Sequence, residues 1–314
     1  MGKLVAYRVL FAVPQLAIVS LVVFSLTYLV PGSPAAAILG TAATPDAIAQ
    51  VEAQLGLDRP PLERLASWFG GVLTGDLGTS FRSGVPVAEL LGQRFPATLS
   101  LVLGGMVVAL VVGVGAGVLT GTRPGTTTDR VITGGTVLGL AIPEFWLGLV
   151  LTLVFAVQLG WVPVVAWTPI TEDPVAWLRG LLLPSVALGL TGAAIIARQT
   201  RAAVVSALAA PYVDTLTAAG VPRRRVVLVY GVKNALVPVL ASAGITFAIL
   251  IGASFVVEKV FTSPGLGSLM LTSVIGKDFP VVQGVVLLTA VLVVVVNFVL
   301  DVGYGVINPQ ARPQ

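Results

Sequence analysis

Six runs of this 314-residue chain are almost free of charge: residues 9–45, 95–122, 131–157, 180–197, 234–257 and 279–300. A helix that crosses a hydrocarbon core of ~30 Å needs about 20 consecutive apolar residues, and runs of this length have few other uses. The first run shortens to about 9–31, because Pro31-Gly32-Ser33-Pro34 breaks a helix. The fourth extends towards residue 203, with Arg198 and Arg201 snorkelling at its end. Only Glu144 interrupts the third. Composition agrees: 56% of residues are hydrophobic and 10% charged, where soluble domains carry roughly 25% charged residues. A membrane β-barrel would alternate polar and apolar positions over about ten residues, and these runs do not. The predicted fold class is therefore all-α and integral to a membrane, with six transmembrane helices. The first run is longer than the 7–15 residues of a signal-peptide core, so it reads as a retained span.

The charges between the runs set an orientation. With the N-terminus inside, the inner segments hold eleven bases, from Lys3 and Arg8 to Arg223, Arg224, Arg225 and Arg312, against Asp129, Asp214 and Asp301 alone. The outer segments hold seven bases against ten acids. An excess of Lys and Arg on one side marks the cytoplasm, so both termini are expected there. That distribution also absorbs the net charge of +4 and leaves no case for a nucleic-acid partner. The chain has neither Cys nor His. Thiolate and imidazole catalysis, zinc fingers and a Ser-His-Asp triad are thereby excluded, and no catalytic or metal-binding residue is assigned.

Three regions follow: residues 1–31 as cytoplasmic N-terminus and first span, 32–94 as an external amphipathic subdomain, and 95–314 as a core of five further spans. In the external segment Thr44-Pro45-Asp46 combines an N-cap, a proline at the first helical position and an acid in the first turn. Ile48, Val51 and Leu55 recur at helical spacing, and Gly56 stops the helix. A second amphipathic helix after Pro60-Pro61 carries Leu62, Leu65 and Phe69. Sixty-three residues of plain connection are uncommon in a compact protein, so docking or gating stands beside mere linkage as a reading.

The loop between the fourth and fifth runs carries a short helix at about 211–222. Asp214 complements the start of its dipole, small residues from Thr215 to Ala219 permit close approach of another helix, and Gly220 suits its C-terminal end. An exposed helix with a small-residue face fits a cleft in another protein. An ordinary positive-inside loop, with Arg223-Arg224-Arg225 fixing topology, fits the same residues.

This segment resembles the coupling-helix motif of ABC importer permeases. Asp214-Thr215-Leu216 stand where that motif has Glu-Ala-Ala, and Gly220 is its glycine. More closely, the chain resembles the B-type permease of dipeptide, oligopeptide and nickel importers over almost its whole length. The resemblance runs through Pro31-Gly32-Ser33-Pro34, Gly56-Leu57-Asp58-Arg59-Pro60 and Thr74-Gly75-Asp76-Leu77-Gly78-Thr79-Ser80. It continues through Asn234-Ala235-Leu236-Val237-Pro238, Glu258-Lys259-Val260-Phe261, Pro264-Gly265-Leu266-Gly267 and Asp278-Phe279-Pro280-Val281-Val282-Gln283-Gly284, and closes on Asn297, Asp301 and Tyr304. There are departures. Ala219 replaces the usual Lys and Tyr230 a common His. Asn308-Pro309-Gln310 replaces Asp-Pro-Arg, and Ala141-Ile142-Pro143-Glu144 replaces Ser-Ile-Pro-Ser.

The resemblance implies a type I importer permease fold and a transport subunit that catalyses no bond chemistry. It implies a second homologous permease in a heterodimer, two cytosolic ABC ATPases, an extracytoplasmic substrate-binding protein and surrounding membrane lipid, in a bacterial plasma membrane. The chain has no G-x-x-x-x-G-K-[ST] loop. No cofactor is expected on it, and ATP and Mg belong to the partner ATPases. The residues expected to couple to those ATPases are Tyr212, Asp214, Thr215, Leu216, Ala218, Ala219, Gly220 and Arg223.

Four polar residues are candidates for the pathway or a gate. Glu144, about 14 residues into its span, is expected roughly 20 Å deep if the helix is continuous. An intramembrane carboxylate faces a wet cavity or a partner, so either the amino group of a peptide or a group on the second permease would meet it. Asn297 and Asp301, one turn apart, read as pathway residues or as interhelical contacts. Glu258 sits where a gate would be or at a solvated boundary. Gly113, Gly117 and Gly121, and likewise Gly244, Ala248 and Gly252, allow close helix packing inside the chain or against a second permease. Trp161, Trp167 and Trp177 suit an interfacial belt. The function expected is ATP-driven import of di- and oligopeptides. Nickel chelates, glutathione or another peptide-like solute are the alternative cargo. An ion-coupled secondary transporter is the rival class, disfavoured by the lack of an evident repeat and of several intramembrane charges.

Overall fold

The computed structural model describes residues 2–163 and 167–307, without the side chains of 2–7, 9, 26 and 304–307. Asn308-Pro309-Gln310 and the side chain of Tyr304 lie outside the described residues. Among the described residues the regular structure is helical, with one isolated antiparallel bridge between Thr79 and Pro86.

In chain order the α-helices are α1 (Gly2–Leu29), α2 (Pro34–Leu39), α3 (Pro45–Gln54), α4 (Pro61–Thr74), α5 (Val87–Gly121), α6 (Thr127–Ala141), α7 (Glu144–Leu151), α8 (Pro174–Leu208), α9 (Pro211–Ala218), α10 (Arg223–Arg225), α11 (Lys233–Val260), α12 (Leu266–Ile275) and α13 (Phe279–Ile307). Two π-helical turns, Thr152–Gln158 and Val226–Val232, extend α7 and join α10 to α11. Among the described residues, five helical segments are long and apolar enough to cross a membrane: Leu10–Leu29, Val87–Gly121, Pro174–Leu208, Arg223–Val260 and Phe279–Gly303. The pair α6 and α7 makes a sixth if it counts as one span.

That pair departs from the continuous third helix expected from hydropathy. Its two halves are bent by 101°. Proline has no N–H to give the ladder and pushes the residue before it out of the helical region. Ile142 is accordingly extended at φ −87°, ψ 121°, and Pro143 follows at ψ 138°. Two consecutive extended residues turn the chain, whereas Pro14, Pro96, Pro184 and Pro238 stay inside continuous helices.

The helices form two compact units that ignore chain order. One comprises Val9–Ala97 and Pro264–Leu292, the other Met1–Arg8, Thr98–Ser263 and Val293–Gln314. In the first, Thr44 caps α3 by accepting from the Ala47 N–H at 3.3 Å. Gly56, at φ +64°, lets the Leu57 N–H reach back to the Glu52 carbonyl at 2.8 Å, so the predicted start and stop of α3 are both met. Trp68 of α4 lies 6.2 Å from the Phe24 ring of α1, and Arg64 stacks over Tyr28 at 5.2 Å. Ser33 caps α2 and donates to Glu52 at 2.5 Å. The segment after the first span is thus fastened down by specific contacts. Two motifs far apart in sequence also meet in this unit. The buried Asp278 carboxylate accepts from Ser80 Oγ at 2.5 Å and from the Phe81 N–H at 3.0 Å.

The second unit is built on α8, which packs against α6, α7 and α11 and whose Leu188, Ile196 and Val204 are fully buried. On α5, Gly113, Gly117 and Gly121 repeat once per turn, and they face Ile196, Thr200 and Val204, which repeat once per turn on α8. A Cβ at 113 would lie 2.9 Å from Ile196 Cβ, and one at 121 would lie 2.8 Å from Val204 Cβ. The glycine stripe therefore serves packing within the chain, which the sequence left open. Gly244 of α11 is likewise occupied, by Asn297 of α13, while Gly252 has nothing within 4 Å.

Candidate functional site

α9 is fixed at both ends by local chemistry. Ala210 is extended at ψ 143°, and Pro211 opens the helix at a position where no N–H is needed. At the other end Gly220 takes φ +76°, a left-handed geometry that costs a side-chain-bearing residue about 1–2 kcal/mol. The turn there brings the Gly220 N–H to the Thr217 carbonyl and the Val221 N–H to the Leu216 carbonyl, each at 3.0 Å, the paired closure of a glycine-stopped helix.

The face this helix offers is small and open. Asp214, Thr215, Ala218, Ala219, Gly220 and Arg223 are exposed, while Leu216 is half-buried towards its own chain. Tyr212 fastens the helix to both neighbours. Its hydroxyl donates to the Ala207 carbonyl near the end of α8 at 3.1 Å and accepts from Asn234 Nδ2 at the start of α11 at 3.0 Å. One hydroxyl thus joins α9 to two long apolar helices.

A second fastening lies on α8 just before this loop. Arg201 donates to Asp129 of α6 through Nε at 2.6 Å and through its terminal nitrogen at 2.7 Å. Asp129 is 4% exposed and also accepts from the Gly125 N–H at 2.8 Å and Thr133 Oγ1 at 3.2 Å. A buried carboxylate with this many donors is fully compensated. Arg201, expected to snorkel, is instead held in a two-point clamp. Sequence reading missed this pair, although Asp129 stood out as one of only three acids among the inner bases.

The four pathway candidates are not brought together; among the described residues no hydrogen bond or ion pair joins any two of them. Asp301 pairs with Arg8 of α1 at 2.7 Å, and Asn297 fills the space left by Gly244, so both act between helices. Glu258 is 0% exposed and accepts from Thr98 Oγ1 at 2.5 Å, which replaces the solvated boundary expected for it. Glu144 stands half-exposed at the first position of α7, beyond the break at Pro143. The depth of 20 Å assumed one straight helix and does not survive the bend.

Residues 109–313 match the family model described as the binding-protein-dependent transport system inner membrane component, and residues 1–102 match its N-terminal companion. The chain belongs to this family. It is an ABC importer permease, a multi-pass membrane subunit that works with separate ATPases and a substrate-binding protein. That membership decides against an ion-coupled secondary transporter. A putative peptide transport system permease protein of Brucella abortus (strain 2308) is 35% identical over 312 residues, covering 99% of each chain. The glutathione transport system permease protein GsiC of Escherichia coli (strain K12) is 40% identical over 305 residues, covering 97% of each. A solved structure of the MetNI methionine ABC transporter in inward-facing conformations aligns with TM-score 0.56 at 24% identity, over 70% of this permease and 96% of that chain. This likeness concerns the fold alone, and it agrees with the type I architecture expected for the permease.

Proposed function

We propose that this permease carries di- and oligopeptides inward across a bacterial inner membrane, with both termini and the α9 loop on the cytoplasmic side. The excess of Lys and Arg in the segments assigned to that side supports the orientation. The chain lacks cysteine, so single cysteines at Thr217 and Ser83 are clean reporters for an impermeant thiol reagent. Labelling of both from the same side would overturn it.

In the proposed mechanism a second, homologous permease completes the pathway as a heterodimer. ATP and Mg sit on two cytosolic ATPases, and the exposed face of α9, from Asp214 to Gly220 with Arg223, seats in a groove of one of them. The observation that carries this reading is the pair of hydrogen bonds at the Tyr212 hydroxyl, donated to the Ala207 carbonyl and accepted from Asn234. Because it ties α9 to both α8 and α11, ATPase closure moves the two helices together and switches the pathway's access. Glu144, at the open bend, lines the pathway and meets the amino group of the cargo; Glu144→Gln would then lose uptake of some peptides only. The fastened α3–α4 segment offers the binding protein its docking surface. The names of the relatives support a peptide cargo, and the glutathione permease at 40% identity favours that tripeptide as the second reading.

The deciding experiment is ATP-dependent uptake of labelled di- to pentapeptides and glutathione into proteoliposomes holding this chain with its neighbouring permease, ATPases and binding protein. Uptake should collapse in Gly220→Arg while the complex still assembles. Uptake driven by an ion gradient without ATPases would sink the mechanism. Stimulated ATP hydrolysis without any peptide uptake would move the cargo to chelates or other solutes.

A further inference from the structure

Beside the coupling loop the second unit holds a groove of about 820 Å³ between the end of α5 and the π-helical turn that follows α10. Its rim carries Arg123, Arg223 and Arg224, all exposed. Among the described residues none of these guanidiniums has an ion-pair or side-chain hydrogen-bond partner, and no acid lines the groove. Its depth is apolar: Val114 and Val118 on one wall, Val227 and Leu228 on the other. Val114 lies about 12 Å along α5 from the rim residue Thr122, at 1.5 Å per residue, well inside a run long enough to span a membrane.

We propose that this groove is a binding site for an anionic phospholipid, its phosphate held by Arg123 and Arg224 and an acyl chain lying along α5, while Arg223 at the same rim adds positive potential and stays with the ATPase-facing surface. Three like charges around one opening repel each other, and two of them stand at the positive end of the helical segment 223–260, so an anion relieves both costs. Arginine suits the task because its planar fork meets two phosphate oxygens at once. A soluble anion would satisfy the rim but leave the aliphatic walls unfilled. A cytosolic protein would meet the rim but not reach to hydrocarbon depth. One ligand that is anionic at one end and aliphatic at the other fits both parts. The inference relies on the proposed orientation only in placing the rim at the cytoplasmic leaflet.

The test is lipid retention by the assembled importer, purified in detergent and read by native mass spectrometry after incubation with phosphatidylglycerol or phosphatidylcholine. Two variants attack opposite ends of the site and leave α9 and Arg223 untouched. Arg123→Gln with Arg224→Gln removes charge. Gly115→Phe fills the groove, since a Cβ at Gly115 has nothing within 4 Å. Phosphatidylglycerol retention should fall at least threefold in each, phosphatidylcholine retention should not change, and sn-glycerol 3-phosphate should fail to compete. Equal phosphatidylglycerol retention in the wild type and the charge variant would overturn the proposal, as would displacement by sn-glycerol 3-phosphate. Loss of the second permease from the charge variant with lipid retention unchanged would assign the groove to a subunit contact and overturn it too. Should Gly115→Phe not assemble, the charge variant and the competition decide. Peptide uptake enters none of these readouts, so the site can fail while the importer reading stands.

Discussion

Arg201 grips Asp129 with two nitrogens, at 2.6 and 2.7 Å, across 72 residues of chain, and so ties α8 to the start of α6 just before α8 runs into the loop that carries α9. Loss of the carboxylate's charge leaves a guanidinium without its partner in a site where Asp129 is 4% exposed. Asp129→Asn should lower stability measurably, because the guanidinium loses its charged partner and one oxygen acceptor becomes a donor. Arg201→Lys keeps the charge but loses the fork, and should fall between wild type and Asn. Thermal unfolding of the purified complex followed by fluorescence checks both, and an unchanged midpoint in Asp129→Asn would show the clamp to be idle.

The glycine stripe predicts a steep positional contrast. A Cβ at 117 would fall on Thr200 and sit 2.7 Å from the Ala197 carbonyl oxygen, so Gly117→Val must push α5 away from α8. Overpacking of this kind costs about 1–3 kcal/mol. Gly135→Ala meets nothing within 4 Å and should be neutral or slightly stabilising, because alanine is the better helix former. Detergent-resistant yield on size exclusion, compared between the two, reads the difference.

These two features show how far the sequence could be read. Local chemistry was legible: the Thr44 cap, the Pro45 start, the glycine stops at 56 and 220 and the apolar runs each depend on residues within a few positions. The partner of a charge or of a small-residue stripe was not, because periodicity reports a face and not what lies against it. Gly113, Gly117 and Gly121 announced a close contact without saying that α8 makes it. Arg201 looked like a snorkelling end residue because nothing near it in sequence names Asp129. Pro143 was visible, yet hydropathy carries no direction, and a 101° bend leaves the apolar count of the run unchanged.

Asp278 predicts a coupled pair. It holds Ser80 and the Phe81 backbone from 198 residues away, and it is buried. Asp278→Ala should free the loop at 79–86 and cost about 2–3 kcal/mol, as expected for hydrogen bonds to a charged group. Ser80→Ala alone should cost less, and the double variant should fall well short of the sum, since both remove one interaction. Limited proteolysis at Arg82 reports the freed loop directly; additive effects would mean that the two residues act separately.

Gly220 separates conformation from space. A Cβ there has nothing within 4 Å, so any penalty comes from φ +76° and not from crowding. Asparagine tolerates the left-handed region better than β-branched residues do. Gly220→Asn should therefore keep most ATP-dependent uptake, whereas Gly220→Val should lose most of it. Equal loss in both would mean that the partner ATPase needs the bare glycine surface and not the turn.

Tyr212→Phe is the sharpest test of the coupling role, because it removes one oxygen and little else. The ring stays, the helix start at Pro211 stays, and the hydroxyl's two bonds are exposed, so the stability cost should be no more than about 1 kcal/mol. What goes is the fastening of α9 to the Ala207 carbonyl and to Asn234. If α9 passes force to α8 and α11 through that hydroxyl, ATP hydrolysis should continue while peptide uptake drops, raising the ATP spent per peptide severalfold. Asn234→Ala breaks only the α11 side and should show a smaller rise. Parallel measurement of phosphate release and labelled-peptide uptake in the same proteoliposomes gives that ratio. An unchanged ratio in Tyr212→Phe would place the coupling in the backbone of the loop instead.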